Sequence, residues 1–137
     1  MAGRGDEKMM SEELELSPSA RAVLFEISEA LQRFTESGQG WTIFSNKMSL
    51  STEDRQAIRD FLGQGSIKIK LTDSDETAEW MESGISGVWY GVFYDQTNNP
   101  ILETIEIAAF PQVPSAQMED VKGSMELFKQ RLLETTR

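Results

Sequence analysis

Carboxylates are the only abundant reactive side chains in this 137-residue chain, which contains neither cysteine nor histidine. Three of them invite a catalytic reading: Glu82, Glu103 and Glu106, all near glycine-rich turns or on apolar stretches. Acid–base catalysis by carboxylates needs two positioned groups whose pKa values are held apart. Glu103 and Glu106 share one strand-like stretch, and their odd spacing puts them on opposite faces, so they cannot pair from that strand alone. Glu79 and Asp95 join them only if the fold brings them there. Glu106, between Ile105 and Ile107, is the most unusual of these acids. It is either a functional acid or a structural carboxylate that caps a neighbouring loop or binds an arginine. A carboxylate-based enzyme is therefore the lesser alternative, and the residues favour a chain that is not an enzyme.

Other chemistries lack their parts. Without cysteine and histidine there is no thiolate nucleophile, imidazole base, disulfide, or zinc or iron–sulfur site of the usual ligand types. No cofactor is expected. The glycines of Leu62-Gly-Gln-Gly65 follow a helical pattern instead of preceding one and lack the phosphate-loop lysine, so they read as a helix stop and turn. The G-x-S-x-G elbow of serine hydrolases is absent. Arg4-Gly5-Asp6 spells an adhesion tripeptide, which in so polar a segment reads as chance.

What remains is binding. In residues 87–95, Val88, Tyr90, Val92 and Tyr94 share one strand face, and Trp89, Gly91 and Phe93 share the other. A strand apolar on both faces must be covered on both. Core packing explains any one of these residues. As a set, Trp80, Trp89, Tyr90 and Phe93 are the candidate partner-binding residues, on the expectation that one sheet face is left for a second copy or a client protein.

The elements that would position these groups follow from capping and periodicity. Ser17 caps a first helix with Pro18 at its first position and Gly38 at its end; Val23, Leu24, Ile27, Leu31 and Phe34 form its stripe. Residues 41–44 read as a short buried strand. Ser51 opens a second helix that ends at Gly63, with Ala57, Ile58, Phe61 and Leu62 inward. Residues 66–72 alternate, with Ile67, Ile69 and Leu71 inward and Lys68 and Lys70 outward, as suits an edge strand. Residues 77–83, 87–95 and 101–110 are three further strands, the last two joined by an asparagine-bearing turn. After Pro111 and Pro114 a last helix runs from about Ser115 to Leu133, with Met118, Val121, Met125, Phe128 and Leu132 as its stripe. The order α-β-α-β-β-β-β-α indicates an α+β fold: an antiparallel meander of about four or five strands packed by three helices, the first and last on one face. Residues 1–13 are read as a disordered tail and 14–137 as a single domain.

The formal net charge of −10 argues against nucleic acid, which needs a basic footprint, and against anionic membrane surfaces. No stretch approaches the ~18 apolar residues of a membrane helix, and the N-terminus has no apolar signal core. The expectation is a cytoplasmic protein with no membrane insertion.

Several short motifs occur in a fixed order: Leu62-Gly63-x-Gly65 at a helix end, Glu82-Ser83 before Gly87-Val88-Trp89, and Ile105-Glu106-Ile107 before Pro111. In this the chain resembles the conserved C-terminal domain of the HupH/HyaF hydrogenase expression and formation proteins, over about residues 17–134. The resemblance implies an accessory protein for assembly of uptake [NiFe]-hydrogenase, binding a hydrogenase subunit precursor or another maturation protein in chaperone-like fashion. It marks Leu62, Gly63, Gly65, Glu82, Ser83, Gly87, Val88, Trp89, Glu106 and Pro111 as family-motif positions. Members of that family are commonly longer, with two related halves, which raises a homodimer as the way one half regains the other. A structural homodimerisation module is thus the alternative reading.

Overall fold

A computed structural model of the chain describes residues 16–72 and 77–135. The expected tail at residues 1–13 lies outside the described residues. The elements are α1 (Pro18–Ser37), β1 (Trp41–Phe44), a short 3-10 turn (Ser45–Lys47), α2 (Thr52–Leu62), β2 (Lys68–Thr72), β3 (Thr77–Glu82), β4 (Val88–Tyr94), β5 (Pro100–Ile107) and α3 (Met118–Thr135). This is the expected α+β order.

Local chemistry sets the helix ends. Ser17 Oγ accepts from the Ala20 amide, and Gly38, at φ 75°, donates its N–H to the Phe34 carbonyl. At α2, Ser51 and Asp54 form a reciprocal capping box. The Ser17 hydroxyl also donates to Asp54, tying the two helix starts together. That bond and the Ser51 amide hold the Asp54 carboxyl below its ordinary range.

All strand pairs are antiparallel, in the order β1-β5-β4-β3-β2. Strands β2 to β5 form the expected meander, and β1 adds to the free side of β5. Strand β2 is the edge that its lysines suggest. Of its expected inward residues only Ile69 is partly buried; Ile67 and Leu71 are exposed, because the covering layer does not reach this margin. The β4–β5 hairpin turns at Asn98, with φ 68°, while Asp95 Oδ1 accepts from the Thr97 and Asn99 amides.

Helices α1 and α2 cover one sheet face. Ala20, Val23, Ile27, Ala30, Ile58 and Leu62 pack on Ile43, Val88, Tyr90, Ile105 and Ile107. Phe61, expected inward, points outward instead and is exposed. The expectation that the first and last helices share a sheet face is corrected. α2 takes the second place on that face, and no residue of α3 is buried.

The opposite face is covered by the chain itself. The Trp80 side chain lies across Gly91 with the edge of Phe93 against it, ring centres 5.4 Å apart and planes at 88°. A Cβ at position 91 would stand 2.3 Å from Thr104 Oγ1 and 3.0 Å from Trp80 Nε1, so glycine is what lets the indole settle there. Trp89 is covered from the other end, by the segment that follows β5.

Candidate functional site

The family-motif residues converge at one end of the sheet. Gly65, after α2, donates its amide to the Glu82 carbonyl at 2.8 Å, and a Cβ there would meet the Ser83 carbonyl oxygen at 2.6 Å. The two turns therefore close on each other backbone to backbone. Ser83 is buried; its Oγ accepts from the Ile85 amide at 3.1 Å and donates to the Ile85 carbonyl at 3.0 Å. Its own amide donates to Val88 at 2.9 Å, closing the β3–β4 turn. Gly63 ends α2 at φ 78°, and Leu62 beside it is buried in the core.

Tyr90 reaches this knot from the helix face. Its hydroxyl lies 3.2 Å from the Gly63 carbonyl, left over at the end of α2, and 3.4 Å from that of Arg59, which also accepts the Gly63 amide. The Arg59 guanidinium lies over the ring, 5.0 Å from its centre. Burial pushes the phenol up to about 12, and the cation beside it only partly offsets that.

A second group of bonds pins the connector between β5 and α3. Ala108 donates its amide to Gly87 at 3.0 Å, and the Trp89 indole N–H donates to the Ala108 carbonyl at 3.0 Å. Glu106 Oε2 accepts from the Gln112 amide at 2.9 Å, and Ser115 Oγ donates to the Pro111 carbonyl at 2.7 Å. Pro111 is fully buried, and the Phe110 ring meets Trp89 at 66°. Glu106 thus does what a loop-capping carboxylate does.

The three candidate acids do not converge. Glu103 faces the helix layer and pairs with Arg55 at 3.0 Å, whereas Glu106 is on the opposite face. Glu82 shares a cross-strand row with Trp89 and Glu106, which leaves the two acids two strands, or about 10 Å, apart with the indole between them. Glu79 faces Lys68 and Asp95 holds the hairpin turn. Among the described residues no cluster of three acidic groups is placed to hold a metal ion.

The aromatic set is placed differently from expectation. Trp80 and Trp89 are 1% and 2% exposed, Tyr90 is buried and Phe93 is half-buried. The expectation that they stand on an uncovered face is corrected: Tyr90 lies under the helix layer, Trp80 lies across Gly91 against Phe93, and the pinned connector meets Trp89. A run of open apolar residues lies farther along the chain. Phe110, Val113, Met118, Val121, Met125, Phe128 and Leu132 are all large apolar residues exposed to solvent. The sequence holds a signal for this. The α3 stripe recurs at alternating steps of three and four, a two-in-seven seam, narrower than the three-in-seven face of a helix lying on a globular core.

Residues 18–135 match the model of the family described as HupH hydrogenase expression protein, C-terminal conserved region. A hydrogenase expression/formation protein HupQ from Azotobacter chroococcum is 27% identical over 114 residues, covering 82% of this chain and 40% of that protein. The HupH protein of Rhizobium leguminosarum bv. viciae is 28% identical over 102 residues, covering 74% of this chain and 36% of that protein. This chain therefore spans well under half the length of these relatives. The solved hydrogenase expression protein HupH from Thiobacillus denitrificans has the same fold, with a TM-score of 0.76 at 24% identity over 86% of this chain and 98% of its own.

Proposed function

The chain belongs to the family of the HupH hydrogenase expression protein C-terminal region, and on that premise we propose that it is a non-catalytic accessory factor in [NiFe]-hydrogenase maturation. It binds a hydrogenase subunit precursor or another maturation protein. Family membership carries this reading. The geometry supports it in two ways. Two of the candidate acids, Glu103 and Glu106, are occupied with an arginine and a loop amide on opposite faces, which is structural work. Along α3, beyond the pinned connector, a run of large apolar residues is open to solvent, which is what a protein-binding chain needs.

The test is co-purification. The full chain is used as bait in cells making uptake hydrogenase, beside a Phe128→Asp bait. The expected result is enrichment of a hydrogenase subunit precursor or a maturation protein with the native bait and its loss with the variant. Enrichment of neither class would overturn the reading. Trp89→Ala is the poorer control, because the buried indole supports the connector and its loss disturbs the fold.

A further inference from the structure

Along α3, Met118, Val121, Met125, Phe128 and Leu132 occupy successive a and d positions of a heptad, and all five are exposed. Helical geometry places Lys122 and Lys129 on one rim of that seam and Ser124 and Arg131 on the other. The acids Glu119, Asp120, Glu126 and Glu134 lie behind these rims. A chain of net charge −10 thus lines this apolar seam with bases. At physiological ionic strength the screening length is about 8 Å, so these rim charges, and not the whole-chain charge, decide what can lie against the seam.

We propose that α3 docks a partner's amphipathic helix whose own apolar seam is flanked by glutamate or aspartate, forming a two-helix coiled-coil contact. Each of Lys122, Lys129 and Arg131 then faces an acid. A second copy of this chain gains nothing comparable. Antiparallel, it sets Lys122 against Lys129; parallel, it sets those lysines against Gln117 and Ser124. A lipid surface fits less well, since α3 has no tryptophan and carries four acids against three bases.

This inference rests on the protein-binding reading above, and its test separates the two. Two labelled synthetic helices are titrated with the full chain. Both have leucine and isoleucine in the seam; one has glutamate on its rims, the other lysine. From three exposed ion pairs the glutamate peptide should bind about tenfold tighter, with the gap closing in high salt. Charge reversal at Lys122, Lys129 and Arg131 to glutamate should invert the preference, and Phe128→Asp should abolish binding of both peptides. Circular dichroism confirms that the variants fold, which their exposure leads one to expect. Equal affinity for the two peptides overturns the inference. So does the absence of binding, a dimer in sedimentation that Phe128→Asp dissolves, or capture by phosphatidylserine vesicles in preference to the glutamate peptide. A failed titration beside a successful co-purification leaves the accessory role intact and moves its surface elsewhere.

Discussion

At the scale of single residues, Tyr90 joins the most functions. Its ring is core, and its hydroxyl serves the carbonyls that end α2. Its phenol is raised in the fold from 10.0 to about 12, so the neutral form is the one the fold favours. The stability this contributes is fully present below pH 10 and is lost as pH rises through about 12. A melting series across that window should show the decline, and Tyr90→Phe should flatten it. At neutral pH the same substitution should cost about 1 kcal/mol, the net worth of one hydrogen bond. Gly91 is the complementary case, a residue needed for what it lacks. Gly91→Ala drives a methyl into Thr104 and the Trp80 ring, both buried. Chemical denaturation should report a loss of about 2–3 kcal/mol, the usual cost of overpacking. A loss under half of that would mean that Trp80 can move aside.

Among elements, the turn after α2 and the turn between β3 and β4 act as one unit. Nothing at their contact can give, because the groups that meet are backbone carbonyls. Gly65→Ala should therefore cost at least as much as Gly91→Ala, and should do so while α2 and the sheet remain locally sound. Comparing the two midpoints in urea checks the ranking. Helix α3 stands at the other extreme. It has no buried residue, so Met125→Ala and Phe128→Ala should each change stability by less than about 0.5 kcal/mol. A larger loss would show that α3 packs on the body in solution.

For the whole molecule, the question is what covers the sheet. Helices α1 and α2 take one face; on the other, Trp80 and Trp89 are buried beside Phe93 and the pinned connector. In a Trp41→Phe variant, which removes the one exposed indole, the remaining emission should resist acrylamide quenching. Ready quenching would mean that the second face is open. Much of this was legible beforehand. The caps at Ser17 and Ser51, the stops at Gly38 and Gly63, the lysines of β2 and the two-faced β4 are short-range features, set by neighbours within a few residues. The loop-capping option for Glu106 was legible too, since a carboxylate between isoleucines beside a proline-bearing loop has few other satisfactory partners. The failures share one cause. The α3 stripe and the aromatics of β3 and β4 show that apolar surface must be covered, but periodicity carries no information about what covers it. That depends on contacts between residues far apart in the chain: α2 rather than α3 on the helix face, and Trp80 lying over Gly91. The sequence by itself determined which residues form helix and strand and which faces are apolar. Only the tertiary structure decided which apolar faces meet each other and which one, along α3, stays exposed with no buried residue. The reason is that each sheet face has room for one cover, and the competition for it is settled by packing across the whole chain.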